Sequence, residues 1–103
     1  MSEQDTEEAM KLIYIAGNAK SMAIQAIMLA EEGKVAEAKD KHKEAKDELH
    51  KAHDIQTSLL TREVNGEQIE KTLLLIHAQD HFMSASTVID LAVRFIKLYE
   101  TRK

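Results

Sequence analysis

One stretch stands out for the chemistry it could carry: Leu74-Leu75-Ile76-His77-Ala78-Gln79-Asp80-His81-Phe82-Met83. His77, Asp80 and His81 are spaced three and four residues from one another, so on a helix they share one face. A histidine ring titrates near neutral pH and has a nucleophilic nitrogen, able to hold a phosphoryl group as a labile phosphoramidate. The same residue on an apolar helix face is also a common, inert core side chain. His81, one turn on, is either its hydrogen-bond partner or a second such residue. Asp80 falls between Ile76 and Met83, which cannot pair with a carboxylate. Buried without a partner, it would be costly to keep charged or would take up a proton. It is therefore protonated, paired with a base, bound to a cation, or exposed.

Other chemistries find little support. His42, His50 and His53 invite a metal reading, but no Glu-x-x-His pair and no His-Glu-x-x-His motif occurs. That excludes the usual di-iron bundle and zinc-hydrolase arrangements. His50 and His53 fit a solvated face or its border, and His42 fits a packing seam. There is no phosphate-binding loop of the Gly-x-x-x-x-Gly-Lys type and no Gly-x-Ser-x-Gly nucleophile elbow. The chain has no cysteine, so disulfides and thiolate zinc sites are excluded, and a cytoplasmic home fits. Any catalysis rests on histidine and carboxylate alone.

The elements that must position these residues are helical. In 103 residues there is no proline and there are only three glycines, while Ala, Glu, Lys, Leu and Ile dominate. Length and composition predict one all-α domain over residues 1–103. The net charge of −4 is spread over interspersed signs. No basic stripe is present to displace counterions, so nucleic acid is not an expected partner. The acidic N-terminal segment is unlike a targeting leader. No continuous run reaches the roughly 18 apolar residues expected of a bilayer span.

Three periodic segments follow one another. The first helix is expected to start near Asp5 or Thr6, to bury Leu12, Ala16, Ala19, Ala23, Ala26 and Ala30, and to stop at Gly33. A seam of alanines implies close backbone approach. The second is expected from Val35 to Leu60, with a narrow stripe through Ala38, His42, Ala45, Leu49, Ala52, Gln56 and Leu59 and a wide charged back. Asn65-Gly66 marks the next loop. The third is expected from Glu67 or Gln68 to Tyr99, and between Lys71 and Asp90 its only formally charged residue is Asp80. Leu73, Ile76, Met83, Val88, Leu91 and Phe95 spread over a wide arc, which two partner helices could cover in part and a symmetric oligomer would cover better. The expected architecture is an antiparallel three-helix bundle that self-associates, with third helices meeting at an axis. At a threefold axis three Asp80 carboxylates would converge, a set of hard oxygens suited to Mg²⁺ or a similar cation.

Three segments carry a resemblance to a known family. Ala16-Gly17-Asn18-Ala19-Lys20-Ser21, Ala52-His53-Asp54-Ile55-Gln56-Thr57 and His77-Ala78-Gln79-Asp80-His81-Phe82-Met83 resemble motifs of the lactose/cellobiose-type IIA proteins of the bacterial sugar phosphotransferase system. The similarity runs from about Met10 to Tyr99, and the last segment is the most specific. Lys20 stands where the family usually has arginine, and Phe82 where it has leucine.

The resemblance implies a trimeric phosphocarrier. His77 matches the phosphorylated histidine, charged by phospho-HPr and discharged to a cysteine of the IIB subunit. Gln79 and His81 match supporting motif positions. Asp80 matches the residue that meets its copies around a divalent cation, Mg²⁺ or another, on the homotrimer axis. The membrane IIC permease is an indirect partner, and the sugar is a β-linked disaccharide of cellobiose, chitobiose or lactose type. Ala78, where glycine also occurs in the family, leans toward the cellobiose or chitobiose members. Two rival readings remain. One is a non-catalytic oligomeric helical interaction module, and the other a metal-storage or sensing bundle binding transition metals through His77 and His81.

Overall fold

The computed structural model describes residues 2–102. They form three helices: α1 (Glu3–Glu31), α2 (Val35–Val64) and α3 (Leu73–Thr101). The helices run up, down and up along a bundle 54 Å long.

Local chemistry explains where each helix begins and ends. Ser2 caps α1: its Oγ accepts from the Asp5 N–H at 3.0 Å, which starts the helix before the expected Asp5 or Thr6. At the other end Gly33 takes φ +81°, the left-handed region that costs a glycine little. The Lys34 N–H then bonds back to the Leu29 carbonyl and the Gly33 N–H to that of Ala30, a Schellman closure. Helix α2 ends the same way at Gly66 (φ +91°), with Glu67 N–H returning to Arg62 and Gly66 N–H to Glu63. That stop lies beyond the expected Leu60.

The largest boundary correction concerns α3. It starts at Leu73 and not at Glu67 or Gln68, because the Thr72 side chain caps it by accepting from the Leu75 N–H at 3.2 Å. Residues 67–72 form an irregular link whose Ile69 is buried against the bundle.

The alanine seam on α1 is the common wall. Leu12, Ala16, Ala19, Ala23, Ala26 and Ala30 are buried as expected, joined by Ala9. Helix α2 contributes Ala38, Ala45, Ala52 and Leu59, and α3 contributes Ala78, Phe82, Ala85, Ile89, Ala92 and Ile96. Helix α1 packs about equally on α2 and α3, which meet each other less. Within α1 an 18-residue window reaches a mean hydropathy of 1.3, long and apolar enough by length and composition for a bilayer. The absence of a continuous apolar run therefore did not decide that question; 28% of the window is buried inside the bundle, along the alanine seam.

Helix α3 is apolar on two opposite sides. Most of the residues expected to form its arc lie outside the protomer core: Leu73 is 81% exposed, Met83 59%, Leu91 52% and Ile76 51%, while Val88 packs against the core. The core row from Ala78 to Ile96 lies across the helix from them. The wide arc read from sequence is thus two stripes, one packed here and one outward. Helix α1 also shows an outward row, Met10, Tyr14, Ile24 and Met28.

Arg62 ties three parts of the chain together. Its Nη2 lies 2.8 Å from Asp5 Oδ1 and 2.6 Å from Glu67 Oε1, and its Nη1 lies 3.3 Å from Glu8 Oε2. The Asp5 carboxylate, almost fully buried, thus faces the guanidinium at ion-pair distance. Arg62 holds the Asp5 and Glu67 carboxyls below their usual range, while partial burial pulls both the other way. Carboxyls lowered on folding stabilise above their unfolded values, and that contribution is lost as the pH falls through the folded ones. Arg62→Ala should therefore melt below the parent at neutral pH. In circular-dichroism melts the gap should close in acid, below the ordinary values of 3.8 and 4.5.

Candidate functional site

The site is built on the first turns of α3, where the core sets the helix orientation. Ala78 and Phe82 point inward and share one buried cluster with Ala9, Leu12 and Ala16 of α1 and Ala52 of α2. Each of the three sequence segments singled out above thus supplies a buried residue to the same layer. His53 adds a further contact, its ring stacked on Phe82 at 6.0 Å and 29°. With Ala78 and Phe82 fixed inward, helix geometry places the residues just before each of them on the surface.

Those residues are His77 and His81. His77 is exposed and His81 half-buried. Their Nε2 atoms are 3.1 Å apart and the rings meet edge to face, centroids 4.5 Å apart at 86°. Two ring nitrogens that close share a proton, so one ring donates from Nε2 and the other accepts. Of the two sequence alternatives for His81, the geometry gives the hydrogen-bond partner. The pair belongs to one protomer.

Asp80 and Gln79 go elsewhere. Asp80 is exposed in the protomer, on the outward stripe between Ile76 and Met83. It shares a shallow apolar cleft with His77, lined also by Leu73, Leu74 and Ile76. Of the sequence alternatives for this carboxylate, exposure describes the single chain. Gln79 lies two residues from His77, about 160° around the helix. It lines a groove of about 310 Å³ against α2, with Leu59, Leu60, Ile69, Leu75 and Ile76. The structure does not bring it to the histidine pair.

The second-helix histidines fall on a border. His42 is half-buried, its Nε2 2.9 Å from the Ile89 carbonyl, so that nitrogen is protonated and donates across the α2–α3 seam. His50 stacks on His53 at 6.3 Å. Both are exposed and edge a groove of about 350 Å³ between α2 and α3. Among the described residues no three histidine or acidic side chains converge as a metal site within the protomer. Of the apolar residues around His77, Leu73 and Ile76 were legible as part of the arc, and their exposure makes them a rim; Leu74, half-buried against the core, was not read from the sequence.

Comparison with known proteins follows the same lines. The family model described as the lactose/cellobiose-specific IIA subunit of the PTS system matches residues 7–100. The chain is 45% identical over 100 residues to the lichenan-specific phosphotransferase enzyme IIA component of Bacillus subtilis, covering 97% of this chain and 91% of that one. The crystal structure of the cellobiose-specific enzyme IIA from Bacillus anthracis superposes with a TM-score of 0.92 at 44% identity, covering 97% of this chain and 91% of that one. The IIA(chitobiose) fold in the solution structure of its complex with HPr is also similar, with a TM-score of 0.82 at 31% identity over 97% of this chain and 96% of that one.

Proposed function

Because the chain belongs to the lactose/cellobiose-specific IIA subunits of the phosphotransferase system, we propose that it carries phosphoryl groups on His77, taking each from phospho-HPr and passing it to a cysteine of a IIB subunit. The observation that carries this reading is the exposed His77 ring with a second ring nitrogen 3.1 Å from its Nε2. Transfer to such a carrier breaks the bond from phosphorus to the donor and forms one to the imidazole nitrogen. Discharge reverses this on a thiolate, and no nucleotide or base-activated water is needed. Catalysis is then mostly in-line positioning and charge screening.

In this reading His81 donates from Nε2 and His77 accepts, which keeps the His77 Nε2 unprotonated on the exposed ring; its single lone pair attacks as that hydrogen bond opens. Once phosphorus occupies His77 Nε2, the His81 N–H is placed to bond a phosphoryl oxygen. A protonated His81 would also screen its charge. The apolar rim of Leu73, Leu74 and Ile76 offers two partners, used in turn, a surface they can bind weakly and leave. A complex with HPr is the subject of one related solved structure, which supports HPr as the donor. Names of related proteins refer to lichenan and cellobiose, which favours a β-linked sugar handled by a membrane permease outside this chain. The carrier would work on the cytoplasmic side.

The outward stripe of α3 supports a homotrimer with these helices at the axis. Asp80 lies on that stripe, and its donor chemistry fits a divalent cation: one hard carboxylate per protomer, three on an axis. Asp80 would hold Mg²⁺ or a similar ion there, which would neutralise converging charges; the transfer itself needs nothing from it. Asp80→Leu should keep the helices and, without added divalent cation, raise the trimer's melting temperature, since apolar replacement of buried charges often stabilises by about 1–4 kcal/mol. Sedimentation of that variant as a monomer would count against an apolar interface on this stripe.

Incubation with phosphoenolpyruvate, enzyme I and HPr, followed by mass spectrometry, tests the carrier role. One acid-labile phosphate on the peptide containing His77 supports it. No phosphate on the chain while HPr is labelled overturns it.

A further inference from the structure

We propose that the His77–His81 pair is a two-histidine chelate for borderline-soft divalent cations of the Zn²⁺ type, and that an ion held there blocks phosphoryl acceptance. The blocking half rests on the carrier reading; the binding half does not.

The geometry comes first. The two Nε2 atoms are 3.1 Å apart on successive turns of one helix. With zinc–imidazole bonds of about 2.0–2.1 Å, that separation gives a ligand–metal–ligand angle of about 98°. This falls between the octahedral right angle and the tetrahedral angle, so the ion would need little movement of the backbone. His77 is exposed, so its ring has room to turn its lone pair toward a shared ion. Helix α3 fixes the spacing of the two Cα atoms, and Ala78 and Phe82 lock that turn into the core. Much of the ordering cost of a chelate is therefore met by the fold.

Protons and charge permit it. The ring that donates from Nε2 must move its proton to Nδ1, leaving both Nε2 lone pairs for the metal. Two neutral rings thus bind without net proton release. No third histidine or acidic ligand converges among the described residues. Water would complete the coordination, so the ion would exchange and not be stored. Imidazole selects Zn²⁺, Ni²⁺ or Cu²⁺ over Mg²⁺, which prefers oxygen. The pair is thereby distinct in ligand class from the carboxylate Asp80. Since the metal would occupy the nitrogen assigned to phosphorus, binding and phosphorylation exclude each other.

The test uses the whole chain and Zn²⁺ alone. Calorimetry should show one ion per chain, and histidine side-chain NMR should show His77 and His81 resonances shifting together, with Mg²⁺ leaving both unmoved. His81→Asn and His77→Gln should each weaken the affinity on the order of 10²-fold, because one ring loses the effective concentration that the other provides. Circular dichroism checks that both variants remain helical. Zn²⁺ should slow phosphate uptake from HPr pre-charged and freed of enzyme I, and a chelator should restore it. Zinc affinity unchanged in both variants would place the ion elsewhere, as on His50 and His53, and overturn the proposal. So would no binding at all. Zinc binding without any phosphorylation would keep the chelate and sink the carrier; phosphorylation without zinc binding would do the reverse.

Discussion

His77→Gln should take up no phosphate when incubated with phosphoenolpyruvate, enzyme I and HPr, while the parent chain gains one acid-labile group. Glutamine is the informative replacement. It keeps a polar, helix-compatible side chain at an exposed position, so the bundle should melt as before. It has no nitrogen lone pair able to attack phosphorus, since its amide nitrogen is delocalised into the carbonyl. The loss should therefore be of the covalent step and not of the fold or of HPr docking. Three readouts separate these: helicity, a binding titration with unphosphorylated HPr, and labelling. A variant that still labels would move the acceptor to another histidine, with His81 the first to examine. A variant that loses HPr binding as well would make His77 part of the docking surface. Retained binding and structure with labelling at background would be the signature of a lost nucleophile.

Part of this site is legible in the sequence, for a physical reason. Helical periodicity fixes which residues share a face, so the spacing of four put His77 and His81 together but left open whether they pair. The α1 seam from Leu12 to Ala30 was legible because alanine at alternating intervals of three and four leaves little choice of inward face. Helix α3 was not legible in the same way. It is apolar on opposite sides, and hydrophobicity alone does not say which side meets its own chain. The arc from Leu73 to Phe95 was therefore assembled largely from the outward residues, while Ala78, Ala85 and Ala92, small and unremarkable in composition, are the ones that pack. The start of α3 was missed because no proline or glycine marks it: Thr72 makes the cap, and a lone threonine before an apolar run is a weak signal. Adjacent motif positions point in different directions on a helix, and within the protomer Gln79 faces α2 and not the histidine pair.

The outward stripe leads to the second large effect. Leu91→Lys should convert the proposed trimer to monomers while leaving the helices intact. Leu91 is 52% exposed in the protomer, and lysine is about as good a helix former as leucine, so the single chain tolerates the change. In an assembly with α3 at the axis, three ammonium groups would be buried near one another. One uncompensated buried charge costs about 3–5 kcal/mol, and the trimer would carry three. Sedimentation equilibrium should show mass falling to a single chain across micromolar concentrations. A variant that remains trimeric would shift the interface to the outward row of α1, Met10, Tyr14, Ile24 and Met28. The same protein then asks what the oligomer is for. The His77–His81 pair is complete within one chain, so a well-folded monomer should still accept phosphate from HPr. A monomer that folds and binds HPr but fails to label would mean that the neighbouring protomer completes the site, and the stripe on α3 would be part of the catalytic apparatus as well as its support.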